Sequence, residues 1–141
     1  MDALRLDSQL CFALYAAARA MTQAYAKLLT PLGLTYPQYL VMLVLWEEDG
    51  LAVRQLGERL ELDSGTLTPL LKRLESAGLV SRLRDVADER RVHVHLTTAG
   101  RKLKTRAAKV PACVLTASQC SIPELLQLTA QVRELRERLA A

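Results

Sequence analysis

The sequence predicts a mainly α-helical chain with one small β-hairpin, and three observations carry that expectation. Apolar residues recur at helical spacing through most of the 141 residues. Two short segments, Leu79–Arg84 and Val92–Leu96, instead alternate apolar or β-branched residues with polar ones. Breakers punctuate the rest: Thr30-Pro-Leu-Gly33, Asp49-Gly50, Gly78, Pro111 and Pro123.

Residues 8–29, rich in Ala, Leu and Met, read as a long helix that stops at the Thr30–Gly33 breakers. A second helix over 36–48 opens at Thr35-Tyr-Pro-Gln38, with Pro37 in its first turn, and ends at Asp49-Gly50. Val53–Leu60 is a short amphipathic helix. After Glu61-Leu-Asp63, another helix runs from Ser64 to Ala77 and stops at Gly78, a typical C-cap residue. The two alternating segments pair as a hairpin around the charged tip Asp85–Arg91. Thr97-Thr-Ala-Gly100 starts a helix to about Lys109. Pro111 and Pro123 divide the remainder into a short helical piece and a final amphipathic helix over 123–139.

Composition narrows the class. The length suits one domain, and 50% hydrophobic residues support a packed core. Lys+Arg 19 against Asp+Glu 15 leaves a net charge of +4, compatible with a polyanionic partner. The strongest apolar run, Leu40–Trp46, is too short to span a bilayer, so no membrane role is expected. Three cysteines is an odd number and no basic-apolar leader opens the chain. Both point to the cytoplasm, where thiols stay reduced.

Val53–Val80 holds a helix, a short turn and a second helix, with the charged hairpin next. That order is a winged helix-turn-helix. Leu56, Leu60, Leu62, Leu67, Leu70, Leu71 and Leu74 face inward, whereas the second helix opens on Asp63, Ser64, Gly65, Thr66 and Thr68. Short hydroxyl side chains and a glycine let a helix N-terminus approach phosphates and base edges. Asp63 or Ser64 serves equally as an ordinary N-cap. Lys72 and Arg73, one to two turns later, add phosphate contacts. Arg90 and Arg91, beside Asp88 and Glu89 at the hairpin tip, suit a narrow minor groove. The cations Arg101, Lys102, Lys104, Arg106 and Lys109 read as a solvated helix face.

Cys11 stands out by its company. It lies in Ser8-Gln-Leu-Cys-Phe-Ala-Leu-Tyr15, and all four tyrosines (Tyr15, Tyr25, Tyr36, Tyr39) precede residue 40. With Ser8 as N-cap, Cys11 falls in the first helical turn, where free N–H groups and the helix dipole favour a thiolate. Tyrosine hydroxyls donating to sulfur favour it further. A lone cysteine on an apolar helix is ordinarily a small core residue; the tyrosines set this one apart.

With these blocks the chain resembles the MarR family of bacterial transcriptional regulators, and more narrowly its organic-hydroperoxide-sensing OhrR-type repressors. The resemblance spans essentially the whole chain and rests on Gln9–Tyr15, Gly33–Val41, Leu62–Glu75 and Asp88–Arg91. It implies a homodimeric repressor on pseudo-palindromic double-stranded operator DNA, controlling a thiol-dependent peroxidase gene and often its own. No cofactor or metal is implied. It further implies one MarR-type domain over 1–141, with 1–35 and 100–141 as dimerisation helices and 50–99 as the winged helix-turn-helix. The family's sensing cysteine falls on Cys11, its thiolate-orienting tyrosines on Tyr25 and Tyr36, and a further pocket tyrosine on Tyr15. The minor-groove arginine falls on Arg90, with Asp88 as its acidic partner.

In the two-cysteine members a resolving cysteine stands near the start of the penultimate helix. Here the region is Pro111-Ala-Cys-Val-Leu-Thr-Ala-Ser-Gln-Cys120, which offers both Cys113 and Cys120, on one helical face if the segment is continuous. Cys113 is the preferred candidate, and either could instead be a packing residue. Tyr25 follows Cys11 by fourteen residues on one helix, ~21 Å at 1.5 Å rise per residue. A thiolate-holding Tyr25 must therefore come from the partner subunit. The resemblance also implies bulky organic hydroperoxides as effectors, next to Leu10, Phe12, Leu14 and Met21.

Other readings stay open from sequence. A thiol peroxidase shares the first chemical step but has no use for a winged helix, and steady-state peroxide consumption separates the two. A MarR-type repressor gated by a phenolic ligand leaves Cys11 a bystander. A metal sensor is disfavoured, because His93 and His95 share a strand face but no ligand-pair spacing joins them to the cysteines.

Overall fold

The computed structural model describes residues 2–141. Seven α-helices and one antiparallel hairpin appear among them, in the expected order. The chain divides into two compact units, Tyr25–Ala108 and a second formed by Lys109–Ala141 with the residues up to Ala24.

The Tyr25–Ala108 unit is built around α2 (Tyr36–Glu47), which is apolar on nearly every side. Tyr39, Val41, Met42, Val44 and Leu45 are all buried. Its start is closed by a capping box, in which the Thr35 hydroxyl accepts from the Gln38 N–H and the Gln38 side chain accepts from the Thr35 N–H. Helices α3 (Val53–Leu60) and α4 (Ser64–Ser76) add Leu56, Leu67, Leu71 and Leu74 to this core. Pro69 lies inside α4, which forgoes the N–H that would bond the Gly65 carbonyl. The helix ends in a Schellman motif: the Gly78 N–H donates to Glu75 O and the Leu79 N–H to Leu74 O. Leu79 is thus spent on the cap, and β1 starts one residue later than expected, at Val80.

Strand β1 (Val80–Arg84) pairs antiparallel with β2 (Val92–Leu96), from Val80 opposite Leu96 to Arg84 opposite Val92. The hairpin is tied inward by Val94 N–H to Leu51 O and by Leu96 N–H to the Asp49 carboxylate. Helix α5 (Thr98–Ala107) closes the unit, capped by Thr97. It packs on α2, β2 and the 3-10 turn Thr30–Leu32. Helices α2 and α5 therefore pack with the winged helix-turn-helix in one unit, which runs from Tyr25 to Ala108.

The other unit holds most of α1 (Leu10–Leu29), α6 (Val110–Ser118) and α7 (Ile122–Ala140). Helix α7 buries no residue, and α1 buries only Leu29 at its far end. Leu10, Phe12, Tyr15 and Met21 on α1, and Ile122, Leu126, Leu128 and Val132 on α7, are exposed. So much uncovered apolar surface is the mark of an interaction face. Among the described residues no single helix is long and apolar enough to cross a membrane.

Two expectations about these helices are corrected. Ser8 is not the N-cap of α1: it ends a 3-10 turn over Leu6–Ser8, and the Gln9 side chain folds back to donate to the Ala3 and Arg5 carbonyls. The helix opens at Leu10 instead. Nor is the stretch from Cys113 to Cys120 continuous. Gln119 takes a left-handed conformation (φ 57°) that ends α6, and Ser121 with Glu124 forms a new capping box for α7. Cys120 lies in that break, so the two cysteines do not share a helical face.

Candidate nucleic-acid interface and sensor cysteine

The helix-turn-helix closes tightly through Glu61, which is left-handed, and a bond from the Leu62 N–H to Gly57 O. A side chain at position 57 would bring its Cβ to 2.7 Å from the Leu62 carbonyl oxygen, which explains the glycine. Asp63 is the N-cap of α4 and accepts from the Thr66 N–H at 2.7 Å. Hydrogen bonds from the Thr66 side chain and N–H hold the Asp63 carboxyl below its usual range. Ser64, Gly65 and Thr66 are exposed at the helix start, Thr68 is half-buried, and Lys72 and Arg73 are exposed further along.

The wing tip is organised by its own acids. Asp88 Oδ1 accepts from both the N–H and Nε of Arg90, at 3.1 and 3.2 Å. The Arg91 N–H donates to Asp88 O and the Asp85 N–H to Arg91 O. Arg84 reaches over to Glu89 O at 3.1 Å. The Arg90 side chain stays 91% exposed, so the tether orients it without hiding it. Between wing and helices lies an open groove of about 1070 Å³, whose lining includes Arg54, Ser64, Thr68, Arg82, Arg90 and Arg91. Of the ten expected DNA-contacting residues, Ser64, Thr68, Asp88, Arg90 and Arg91 line this groove, whereas Asp63, Gly65, Thr66, Lys72 and Arg73 do not.

His93, weighed with His95 as a metal ligand, has other work. His93 lies with Nδ1 3.2 Å from Gly50 O and Nε2 3.1 Å from Asp85 Oδ2, joining the base of the wing to the loop after α2. Bonds from the Ala87 N–H and then from His93 hold the Asp85 carboxyl low. Among the described residues no three His, Cys, Asp or Glu side chains are grouped to hold a metal. On α5, Arg101 donates to Leu96 O and Arg106 to Pro31 O, so part of that cationic face braces the fold.

Cys11 is the second residue of α1 and is exposed. The first helical bond runs from the Ala13 N–H to Gln9 O, leaving the N–H groups of Leu10, Cys11 and Phe12 without intrahelical acceptors. The expected first-turn setting therefore holds, with a different start. Tyr15 is exposed, and the Arg19 guanidinium stands 5.7 Å from its ring centroid, one turn further on. Tyr25 and Tyr36 meet at 4.8 Å between ring centroids, and Tyr39 completes the cluster at 5.7 and 6.3 Å. Burial pushes the Tyr25 phenol up; burial and then the neighbouring phenols push up Tyr36 and Tyr39. All three stay protonated at neutral pH, as hydrogen-bond donors must. Tyr39, 2% exposed, joins Tyr25 and Tyr36, although the resemblance assigns a role to those two and not to it. All three cysteines are free: Cys113 is exposed, and the half-buried Cys120 thiol donates to Ser118 O at 3.5 Å.

A winged helix-turn-helix with an arginine-tipped wing and an exposed recognition-helix start defines a DNA-binding transcriptional regulator. The model of the transcriptional regulator SarA/Rot family matches residues 23–107. The chain is 53% identical over 140 residues to the HTH-type transcriptional regulator TtmR of Methylorubrum extorquens, covering 99% of this chain and 72% of the relative. It is 49% identical over 138 residues to the organic hydroperoxide resistance transcriptional regulator of Bacillus subtilis, covering 98% and 94%. Among solved structures it is similar to AbfR of Staphylococcus epidermidis. Reduced AbfR bound to DNA matches with TM-score 0.83 at 36% identity, covering 98% of this chain and 96% of that one. The disulfide form of AbfR matches at 0.66 with 37% identity, covering 97% and 91%. The chain belongs to the MarR family of transcriptional regulators and, within it, to the OhrR type.

Replacing Arg90 by alanine is expected to cost about 1–3 kcal/mol of operator binding if its guanidinium enters a groove, with the fold unchanged. Fluorescence anisotropy at moderate salt measures it. Unchanged affinity would remove Arg90 from the DNA contacts.

Proposed function

We propose that this chain represses transcription as a homodimer on a pseudo-palindromic operator, and that organic hydroperoxides release it by oxidising Cys11. The observation that carries this reading is the unbroken run of α1 from Leu10 to Leu29. It bears Cys11 at its first turn and Tyr25 fourteen residues later, ~21 Å along one helix at 1.5 Å per residue. A protonated tyrosine cluster serves a thiolate only if an antiparallel partner helix brings the two together. The exposed apolar surface of α1 and α7 supplies the face for that partner. The sensor then lies at the dimer interface, where a change at one sulfur alters the relation between subunits.

The Cys11 thiolate attacks the distal peroxide oxygen. The O–O bond breaks, the alcohol leaves with a proton, and sulfur becomes sulfenic acid. A second thiol condenses with it, losing water, to give a disulfide, or a small cellular thiol caps it. Cys113 is the better-placed resolving thiol because it is exposed, whereas the Cys120 thiol is turned onto Ser118. The disulfide draws Cys11 toward the C-terminal segment, the two wings lose their match to successive grooves, and a peroxidase gene is derepressed. Each oxidation is used once per reduction cycle, so the protein is a sensor and not an enzyme. A regulator working on operator DNA does so in the cytoplasm.

Two measurements test the chemistry. Tyr25→Phe or Tyr36→Phe should slow Cys11 oxidation at neutral pH by about tenfold, the effect of a lost charge-assisted hydrogen bond of about 1.4 kcal/mol. Wild-type rates in both variants would reduce the tyrosines to packing. Peroxide should also give a reduction-sensitive covalent dimer on a denaturing gel. Replacing Cys113 should abolish it, and its loss on replacing Cys120 instead would reassign the resolving thiol. An oxidised protein running only as monomer, with an internal Cys11 disulfide by peptide mapping, would refute the cross-subunit arrangement.

A further inference from the structure

Glu75 and Arg82 lie outside the contacts assigned to DNA, yet they join the two elements that make them. Glu75 is the penultimate residue of α4 and Arg82 is the middle of β1. One carboxylate takes two bonds from one residue: Oε1 accepts from the Arg82 guanidinium at 3.1 Å and Oε2 from the Arg82 N–H at 3.3 Å. Ser64, Thr68, Leu71 and Glu75 follow at spacings of four, three and four, which is a single stripe of a helix. The first three of them line the groove together with Arg82. The stripe of the recognition helix that looks toward the wing therefore ends in a clamp on the wing's own strand. The bond from Arg82 holds the Glu75 carboxyl below its usual range, so the clamp is charged at neutral pH.

Stability alone is a poor reason for this pair. Arg82 Nε is buried and has no hydrogen-bond partner. The pair is 27% exposed at Arg82 and 40% at Glu75, and an ion pair that open to solvent adds little to stability. What the pair supplies is direction. Two bonds from one carboxylate, to the main chain and side chain of the same strand residue, fix the strand's distance from α4 and its orientation together.

We propose that Glu75–Arg82 is a positioning pair that sets the wing against the recognition helix, so that Arg90 meets its groove while α4 lies in the neighbouring one. The proposal rests on the helix-and-wing reading of DNA given above. With the pair broken, α4 and the wing keep their own side chains but no longer present them at one fixed offset.

Operator affinities of single and double variants of the intact chain test it. Arg82→Met keeps the length of the stem, and Glu75→Gln keeps the shape of the carboxyl; thermal midpoints near that of the parent show that each folds. If Arg82→Met does not fold, Glu75→Gln carries the comparison. In the parent chain Arg90→Ala should weaken operator binding about tenfold or more. In either broken-pair background the same substitution should cost less than about threefold, because the wing contact is already lost, a non-additivity diagnostic of coupling. Affinity for unrelated DNA of equal length should stay at the parent value. An equal Arg90→Ala penalty in all backgrounds overturns the proposal and leaves the wing's DNA contact intact. No Arg90→Ala penalty even in the parent refutes the wing reading itself, and the positioning role falls with it.

Discussion

Gly100→Ala is expected to destabilise the chain by about 3 kcal/mol or more, at the upper end of what overpacking costs. A Cβ at that position would stand 2.1 Å from the Leu79 carbonyl oxygen and 3.1 Å from its carbon. Neither side can yield easily. The Leu79 carbonyl accepts the Thr97 N–H, and the Leu79 N–H completes the cap of α4. The Thr97 hydroxyl accepts the Gly100 N–H and donates to Gly78 O, while the Trp46 indole N–H donates to Gly100 O. Moving α5 outward breaks its link to α2, and moving Leu79 outward opens the end of the recognition helix. On helix propensity alone, Gly→Ala should instead stabilise by about 1 kcal/mol. The sign of the change therefore tests the close approach. A fall of about 10 °C in thermal midpoint is expected for a chain of this size; an equal or higher midpoint would show that the contact is not there.

Much of this was legible in the sequence, for identifiable reasons. Helix limits followed from breakers whose backbone demands are local, as at Thr35-Tyr-Pro-Gln38 and Gly78. The hairpin followed from a change of period, and the DNA-reading surface from its adjacency to the helix-turn-helix. What escaped was set by contacts distant in sequence or by conformations the residue type does not announce. Gln119 ends α6 in a left-handed turn ordinarily taken by glycine, so the sequence leaves open whether Cys113 and Cys120 share one helix. The Gln9 side chain, folded back on Ala3 and Arg5, displaced Ser8 from the helix start. Glu75 and Arg82 stand seven residues apart, one on a helix and one on a strand, and only the fold joins them. The grouping of Tyr25, Tyr36 and Tyr39 depends on how α1 and α2 approach each other at the Thr30–Gly33 bend, which no local pattern specifies.

Cys11→Ser should abolish the response to peroxide while leaving operator binding of the reduced protein unchanged. Serine preserves the helix start and, being nearly isosteric with cysteine, disturbs packing little. It cannot form a sulfenic acid or a disulfide. The effect should be all-or-none in the response and near zero in affinity, which no general loss of stability imitates. A phenol-gated repressor would respond to its ligand and treat Cys11 as a bystander, and a peroxidase would consume hydroperoxide continuously with a thiol reductant.

The most direct test is operator binding by the parent chain and by Cys11→Ser, before and after stoichiometric tert-butyl hydroperoxide, with thiol reductant added last. The redox-repressor reading expects the parent to lose affinity by about tenfold or more, equivalent to 1.4 kcal/mol, and to recover it on reduction, with the variant bound throughout. Release of Cys11→Ser by the same treatment, or a parent that stays bound after Cys11 is shown to be oxidised, would contradict it.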